Sequence, residues 1–399
     1  MQQKGKKVGI LFSGGPAPSA NTVISSTALN FLDSHVPVIG IFKGYEYLQD
    51  FNVDSPDLQL RKDIHYTDIT YDISQVRNDR GIYLKTSRAN PGKNIEKLED
   101  LKDKEKSKKL KNIIDAFEHL RIEALISIGG DDTLKTANFL CNMEFPVIHI
   151  PKTIDNDYFG IPWTFGYWTA VDTAQKIMLN LKADAQATES FYIVELMGRK
   201  AGWITYAAGI ASEAIMMLSS EDIEGTELDV EKISEKIADV ILNRKKKEKP
   251  YGIIAVSEGL ADKLPEGLLP KEVDRHGNVM FGKANISRFL ANKVTNKYKE
   301  RTGSEIKIIA KQIGYETRAS SPISFDVVLG SMLGYGAYKF YTEKKFGVMV
   351  SVNDNFDLVA VPFKELIDPV TLKTKLRSVP KGSDFYTLKE NLSFRRLWQ

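Results

Sequence analysis

The chain has 399 residues, 42% of them hydrophobic, enough to bury a sizeable core and long enough for two or three domains. A formal net charge of +3 argues against a nucleic-acid-binding protein, and no apolar run approaches the roughly 18 residues that suggest a membrane span. One cysteine, Cys141, excludes an intrachain disulfide, and the start runs into a strand with no apolar leader, so a soluble, cytoplasmic protein is expected.

Short apolar runs alternate with helical patterns along the chain. Residues 8–12 predict a strand, followed by a Gly/Pro turn, a helix over 22–32 and a strand over 36–41. A charged stretch, 94–120, precedes a strand over 124–128, a helix over 134–143 and a strand over 147–150. These two apolar runs read as buried parallel strands. Next come a helix over 169–183, a strand over 191–196, a helix over 203–211 and a strand over 215–218. The order repeats with a helix over 230–244, a strand over 252–256, a helix over 286–301 and a strand over 306–313. A helix over 325–342 and strands over 346–352 and 358–361 complete the pattern. Lysine-rich runs at 102–111 and 245–249 read as solvated faces and turns. The alternation predicts a doubly wound α/β fold of two Rossmann-like lobes, with the active site in the cleft between them.

Carboxylates cluster just after the predicted strands, where open α/β sheets bind ligands. Gly129-Gly130-Asp131-Asp132-Thr133 puts two acids at a glycine turn, and Thr133 opens a helix whose amino end favours an anion. A helix cap would need only one of those acids. Lys152-Thr153-Ile154-Asp155-Asn156-Asp157 follows the next strand. There Asp155 can act as general base towards an attacking hydroxyl, and Asp157 can orient it or hold metal. Thr153 offers a hydroxyl to a phosphate oxygen, and Lys152 a point charge for a transferring phosphoryl group. Carboxylates beside a phosphate turn call for a hard cation such as Mg²⁺, with Asp131 and Asp157 as its ligands. Gly14 and Gly15, after the first strand, offer a weaker anion-cradle signal, and no Walker loop occurs anywhere. Further polar groups stand at later strand ends: Met197, Gly198 and Arg199, then Glu258, then Tyr315 and Arg318. The histidines lack ligand spacing, and His149, inside an apolar strand, reads as a core residue. Trp163, Trp168, Trp203 and Trp398 read as packing residues. Together these motifs point to phosphoryl transfer.

In order and in kind, these motifs resemble the phosphofructokinase family over roughly 8–337. The resemblance implies that Asp155 is the base towards the 1-hydroxyl of fructose 6-phosphate and that Asp131 is a magnesium position. Thr153, Met197, Gly198, Arg199, Glu258, Tyr315 and Arg318 are implied as sugar-phosphate contacts, with Gly14, Gly15 and Thr133 on the donor. A donor lobe over 5–168 with 318–366 is expected, and a sugar-phosphate lobe over 169–317 with 367–399. In ATP-dependent members the position of Asp132 is usually glycine. A carboxylate there fills nucleotide space, and Lys152 can neutralise a compact donor, so the pair resembles the pyrophosphate-dependent branch. The implied activity is Mg²⁺-dependent transfer from pyrophosphate to fructose 6-phosphate in glycolysis, by a homo-oligomer without nucleic-acid or membrane partners.

Departures from the family pattern are Ser190, where an arginine reaching a neighbouring subunit is common, Val327, where an arginine is also common, and Arg80 and Lys85, which replace glycines. Ser190 keeps a non-catalytic sugar-phosphate-binding paralogue in view, against which the presence of both Asp155 and Arg199 argues. An ATP-dependent phosphofructokinase is a second alternative. NAD- or lipid-kinase-type enzymes share the Gly-Gly-Asp turn but leave 153–157 and 315–318 unexplained.

Overall fold

The computed structural model describes residues 6–56, 60–268 and 284–393; His276 and Trp398 lie outside these, as do residues 1–5 at the expected edge of the first lobe. The strands in chain order are β1 (Lys7–Phe12), β2 (Val38–Ile41), β3 (Tyr66–Ile69), β4 (Ile122–Gly129), β5 (Val147–Pro151) and β6 (Phe191–Leu196). They continue as β7 (Met216–Leu218), β8 (Gly252–Ser257), β9 (Ile308–Ile313), β10 (Val348–Val352) and β11 (Leu358–Pro362). Over the described residues the chain divides into two compact units. The first is drawn from Met1–Thr153, Tyr158–Trp168 and Ser321–Leu376, the second from Ile154–Asp157, Thr169–Ser320 and Arg377–Gln399. Residues 367–376 go with the first unit, where Ile367 bridges Thr374 and Leu376 bridges Tyr158, although the sequence reading had them in the second lobe.

The first unit is built on a sheet of order β11-β10-β5-β4-β1-β2-β3. Its centre is parallel, and β3 and β11 pair antiparallel at the edges. Strand β4 is apolar through Ala124, Leu125, Ile126 and Ile128 because helices cover both faces of a parallel sheet. Helix Lys104–Leu120 buries Leu110, Ile113, Phe117 and Leu120, spaced at helical intervals, and leaves Lys108, Lys109 and Lys111 in solvent. Its cap is Asp103, which accepts from the Glu105 and Lys106 N–H groups at 2.9 and 3.1 Å. From β1 the chain proceeds one way to β2, and β4 lies on the other side of β1. The turns after β1 and β4 therefore flank a topological switch point, the place where such sheets open for ligands.

The second unit has an all-parallel sheet of order β7-β8-β6-β9. Its core joins Phe191, Ile193, Ile254 and Val256 from the strands to Ile237, Ile241 and Leu290 from helices Val230–Lys246 and Ile286–Thr302. Each such side chain, fully buried, contributes about 1.5–3 kcal/mol. Strand β6 is central, with β8 on one side and β9 on the other, so a second switch point falls at its carboxyl end. Among the described residues no helix is long and apolar enough to cross a membrane.

Candidate active site

In the first unit the register pairs Phe12 with Ile128 and Ile128 with Ile150, so the turns after β1, β4 and β5 start in line. Lys152 follows β5 and is 7% exposed. Its ammonium lies 5.9 Å from the Phe12 ring centroid, and a Cβ placed on Gly14 would come within 3.2 Å of it. A desolvated cation thus stands against the first glycine turn, with Gly15 half-buried beside it. One expectation needs correcting. The Gly14 N–H donates to the Ser87 carbonyl at 2.8 Å, and Thr86 Oγ1 donates to the Gly14 carbonyl at 2.6 Å. That N–H is taken up by Ser87 of the same chain, and Lys152 brings positive charge to this turn.

The helix after β4 runs Asp131–Asn142, starting three residues before the predicted 134, and its N-cap is Gly130. Asp131 and Asp132 occupy the first turn, on the positive end of the helix dipole, and neither is the capping residue. The Asp132 side chain is 55% exposed, with Lys135 Nζ 3.9 Å away. Thr133 is buried, and a Cβ on Gly129 would lie 2.3 Å from its Oγ1. The hydroxyl therefore packs over the Gly129 backbone, which is why position 129 has no side chain. Thr153 is half-buried just beyond Lys152.

In the second unit, Leu196 pairs with Ser257 and with Ile313. Met197, Glu258 and Gly314 therefore emerge side by side at the sheet's carboxyl edge. Gly198 adopts φ +129° and its carbonyl accepts from Ser257 Oγ; a Cβ on Gly259 would come 2.2 Å from the Arg199 carbonyl oxygen. Two loops meet backbone to backbone here, which glycine alone permits. Arg318, in the one-turn helix Tyr315–Arg318, points its Nε at Met197 Sδ, 3.1 Å away. Tyr315 is exposed. Arg199 is 3.8 Å from Asp262 in a pair open to solvent.

Glu258 is the electrostatic centre of this cluster. Burial pushes its carboxyl from 4.5 up to about 7, the Asp155 charge adds to the rise, and Arg318 opposes it. Beneath it Glu195, buried on β6, accepts from Gln312 Nε2 at 3.0 Å and the Ser287 N–H at 3.1 Å. Burial raises its carboxyl too. The Asp155 loop carries a half-buried Asp155, then Asn156 and Asp157, both buried, with Asn156 at φ +54°. Arg377 donates from Nη1 to the Asn156 carbonyl at 3.2 Å and from its backbone N–H to the Asp157 carbonyl at 2.9 Å. Sequence reasoning missed Glu195 and Arg377. A carboxylate inside an apolar strand signalled the first; nothing near Arg377 in sequence signalled the second.

The structure thus gathers Gly14, Gly15, Asp131, Asp132, Thr133, Lys152 and Thr153 at strand ends of the first unit. Asp155, Asp157, Met197, Gly198, Arg199, Glu258, Tyr315 and Arg318 fall in the second. Residues 7–341 match the family model described as phosphofructokinase. The chain belongs to the phosphofructokinase family. It is 33% identical to a pyrophosphate–fructose 6-phosphate 1-phosphotransferase of Thermotoga maritima, over 98% of this chain and 91% of that protein. It is 28% identical to an ATP-dependent 6-phosphofructokinase 3 of Bacteroides thetaiotaomicron, over 92% of this chain and 95% of that protein. A pyrophosphate-dependent phosphofructokinase structure from Nitrosospira multiformis shares the fold, with a TM-score of 0.68 at 18% identity over 95% of this chain and 88% of that one.

In this phosphofructokinase the departures have definite places. Ser190 is fully buried, its Oγ 2.7 Å from Thr188 Oγ1. Val327 is half-buried in the first turn of helix Ser324–Thr342. Arg80 is exposed and its Nε donates to Ser321 Oγ at 2.8 Å. Lys85 adopts a left-handed backbone, at φ +56°, a region that glycine favours. His149 is buried and pushed down to about 3 by desolvation, with Nε2 3.1 Å from Tyr158 Oη, as a neutral core residue would be.

Proposed function

We propose that this phosphofructokinase transfers a phosphoryl group from pyrophosphate to the 1-hydroxyl of fructose 6-phosphate, giving fructose 1,6-bisphosphate and orthophosphate. The observation that carries the reading is the buried Lys152 ammonium against the Gly14 turn, with the exposed Asp132 carboxylate at the adjoining strand end. A fixed cation suits a small donor of high charge density, whereas a carboxylate opposes a bulky anionic one. The relative from Thermotoga maritima, 33% identical, carries a pyrophosphate name, which agrees.

Asp155 takes the proton of the 1-hydroxyl as that oxygen attacks the terminal phosphorus, and the bond to the bridging oxygen breaks. Lys152 and Arg199 place positive charge on the transferring group. Glu258 holds sugar hydroxyls, and near pH 7 its carboxyl either donates or accepts. Thr153, Met197, Gly198, Tyr315 and Arg318 shape and charge the acceptor side; Gly14, Gly15 and Thr133 shape the donor side. Among the described residues no three His, Cys, Asp or Glu side chains form a metal cage. Mg²⁺ is a hard cation that takes one or two carboxylates together with substrate phosphates, and Asp131 and Asp157 are the carboxylates that would serve it. When bound, Mg²⁺ neutralises donor charge. A cytoplasmic, glycolytic homo-oligomer is the setting we infer, consistent with the single cysteine.

ATP as donor is the second reading, favoured by the ATP-dependent names among relatives of nearly equal identity. Purified chain supplied with pyrophosphate, fructose 6-phosphate and Mg²⁺ should form fructose 1,6-bisphosphate, cease to do so after chelation, and recover on adding Mg²⁺ back. No product under these conditions would refute the proposal, and full turnover after exhaustive metal removal would refute its metal.

A further inference from the structure

The stretch from Arg377 to Ser393 belongs to the second unit and packs there through a polar network as well as buried Val379 and Tyr386. Glu221 Oε1 accepts from the Val379 N–H at 3.2 Å and from the Gly202 N–H at 2.9 Å. Asp222 accepts from Tyr206 Oη and Tyr386 Oη, each at 2.7 Å, and from the Lys389 ammonium. Lys389 is only 4% exposed, so this pair is desolvated and its geometry tightly set. The anchored stretch begins at Arg377. Its guanidinium carbon sits 4.2 Å from the Trp203 ring centroid, and Trp203 Nε1 donates to the Arg377 carbonyl at 2.9 Å. Phe385 stacks on the same indole at 5.6 Å. The Arg377 side chain therefore lies on an indole that is itself packed by Phe385 before it reaches the Asp155 loop.

What it reaches is the main chain next to the proposed base. Nη1 binds the Asn156 carbonyl and the backbone N–H binds the Asp157 carbonyl. Asn156 is buried in a left-handed conformation, a state that persists when surrounding contacts over-determine it. We propose that Arg377 is a positioning residue. By holding these two carbonyls it fixes the direction in which Asp155 presents its carboxylate, and the polar network around Glu221 and Asp222 holds Arg377 in turn. This rests on Asp155 being the base, as in the function proposed above.

The test uses the full chain and two variants, Arg377→Ala and Arg377→Lys, with two readouts. In steady-state turnover with pyrophosphate and fructose 6-phosphate, Arg377→Ala should lose about 10- to 100-fold in kcat, with KM for the sugar phosphate within about threefold, the pattern of a displaced group. Arg377→Lys, which keeps a donor for Asn156, should recover to within about fivefold of wild type. In hydrogen exchange, the peptide spanning residues 154–158 should exchange about tenfold faster in Arg377→Ala, while peptides from β6 and β8 stay unchanged. A merely structural role would speed exchange throughout the second unit, and that outcome overturns the proposal. So does wild-type kcat together with wild-type exchange at 154–158. If Arg377→Ala does not fold, Trp203→Phe replaces it: loss of the indole N–H should speed exchange at 154–158 and lower kcat, and no change in either overturns the proposal. An inactive wild-type chain would defeat the functional reading alone, and the exchange readout would still decide whether Arg377 holds the loop.

Discussion

Asp155 and Glu258 belong to one electrostatic unit, because the Asp155 charge helps to raise the Glu258 carboxyl to about 7. Asp155→Asn keeps the shape and removes the proton acceptor, so kcat should fall about 10²–10⁴-fold while the variant stays folded; near-normal turnover would free Asp155 from the role of base. Glu258 gives a stability prediction of definite sign. Its carboxyl is raised in the folded state, so the folded chain holds this proton more tightly than the unfolded one. Stability from this group is present below about 4.5 and lost as pH rises through about 7. Glu258→Gln removes that loss, so its Tm relative to wild type should climb between about pH 5 and about pH 8. A Tm difference that is flat across this range would show that Glu258 ionises normally. Both acids were legible in the sequence as carboxylates just past apolar strands. Arg377 was not, because its partner Asn156 lies 221 residues earlier and no local pattern marks so distant a contact. Nor could the glycines at 14 and 15 reveal that the Gly14 N–H is taken by Ser87, since Ser87 approaches only once the chain has folded.

Strands and their register set where these side chains emerge. The apolar runs of β4, β5, β6 and β8 were readable because burial on both faces leaves no alternation to confuse with helix or loop. Strand β3 was not read: Tyr66, Thr67 and Asp68 are polar or half-exposed, and pairing with β2 at a sheet edge makes the segment a strand. Helix Asp384–Ser393 escaped for a similar reason, since it docks through Tyr386 and Lys389 on Asp222. The loops after β6 and β8 meet where Gly259 faces the Arg199 carbonyl. Gly259→Ala places a methyl group 2.2 Å from that oxygen, so one loop has to move. The expected cost is about 1–3 kcal/mol in thermal unfolding, accompanied by a raised KM for fructose 6-phosphate as Arg199 shifts. An unchanged Tm would mean that the two loops part freely.

Across the chain, one sheet parallel at its centre and one parallel throughout each put polar groups at a switch point, where the function proposed above needs a donor set and an acceptor set. The family was legible because the motifs occur in family order, whereas the donor rests on Asp132 and Lys152 alone, and family members of both donor types resemble this chain at similar identity. The decisive measurement is kcat/KM for pyrophosphate and for ATP, each with fructose 6-phosphate, in wild type and in Asp132→Gly. The pyrophosphate reading predicts that wild type prefers pyrophosphate and that Asp132→Gly shifts the ratio towards ATP. A wild-type preference for ATP would contradict it outright, and a pyrophosphate preference unmoved by Asp132→Gly would leave the donor standing and remove Asp132 as its cause.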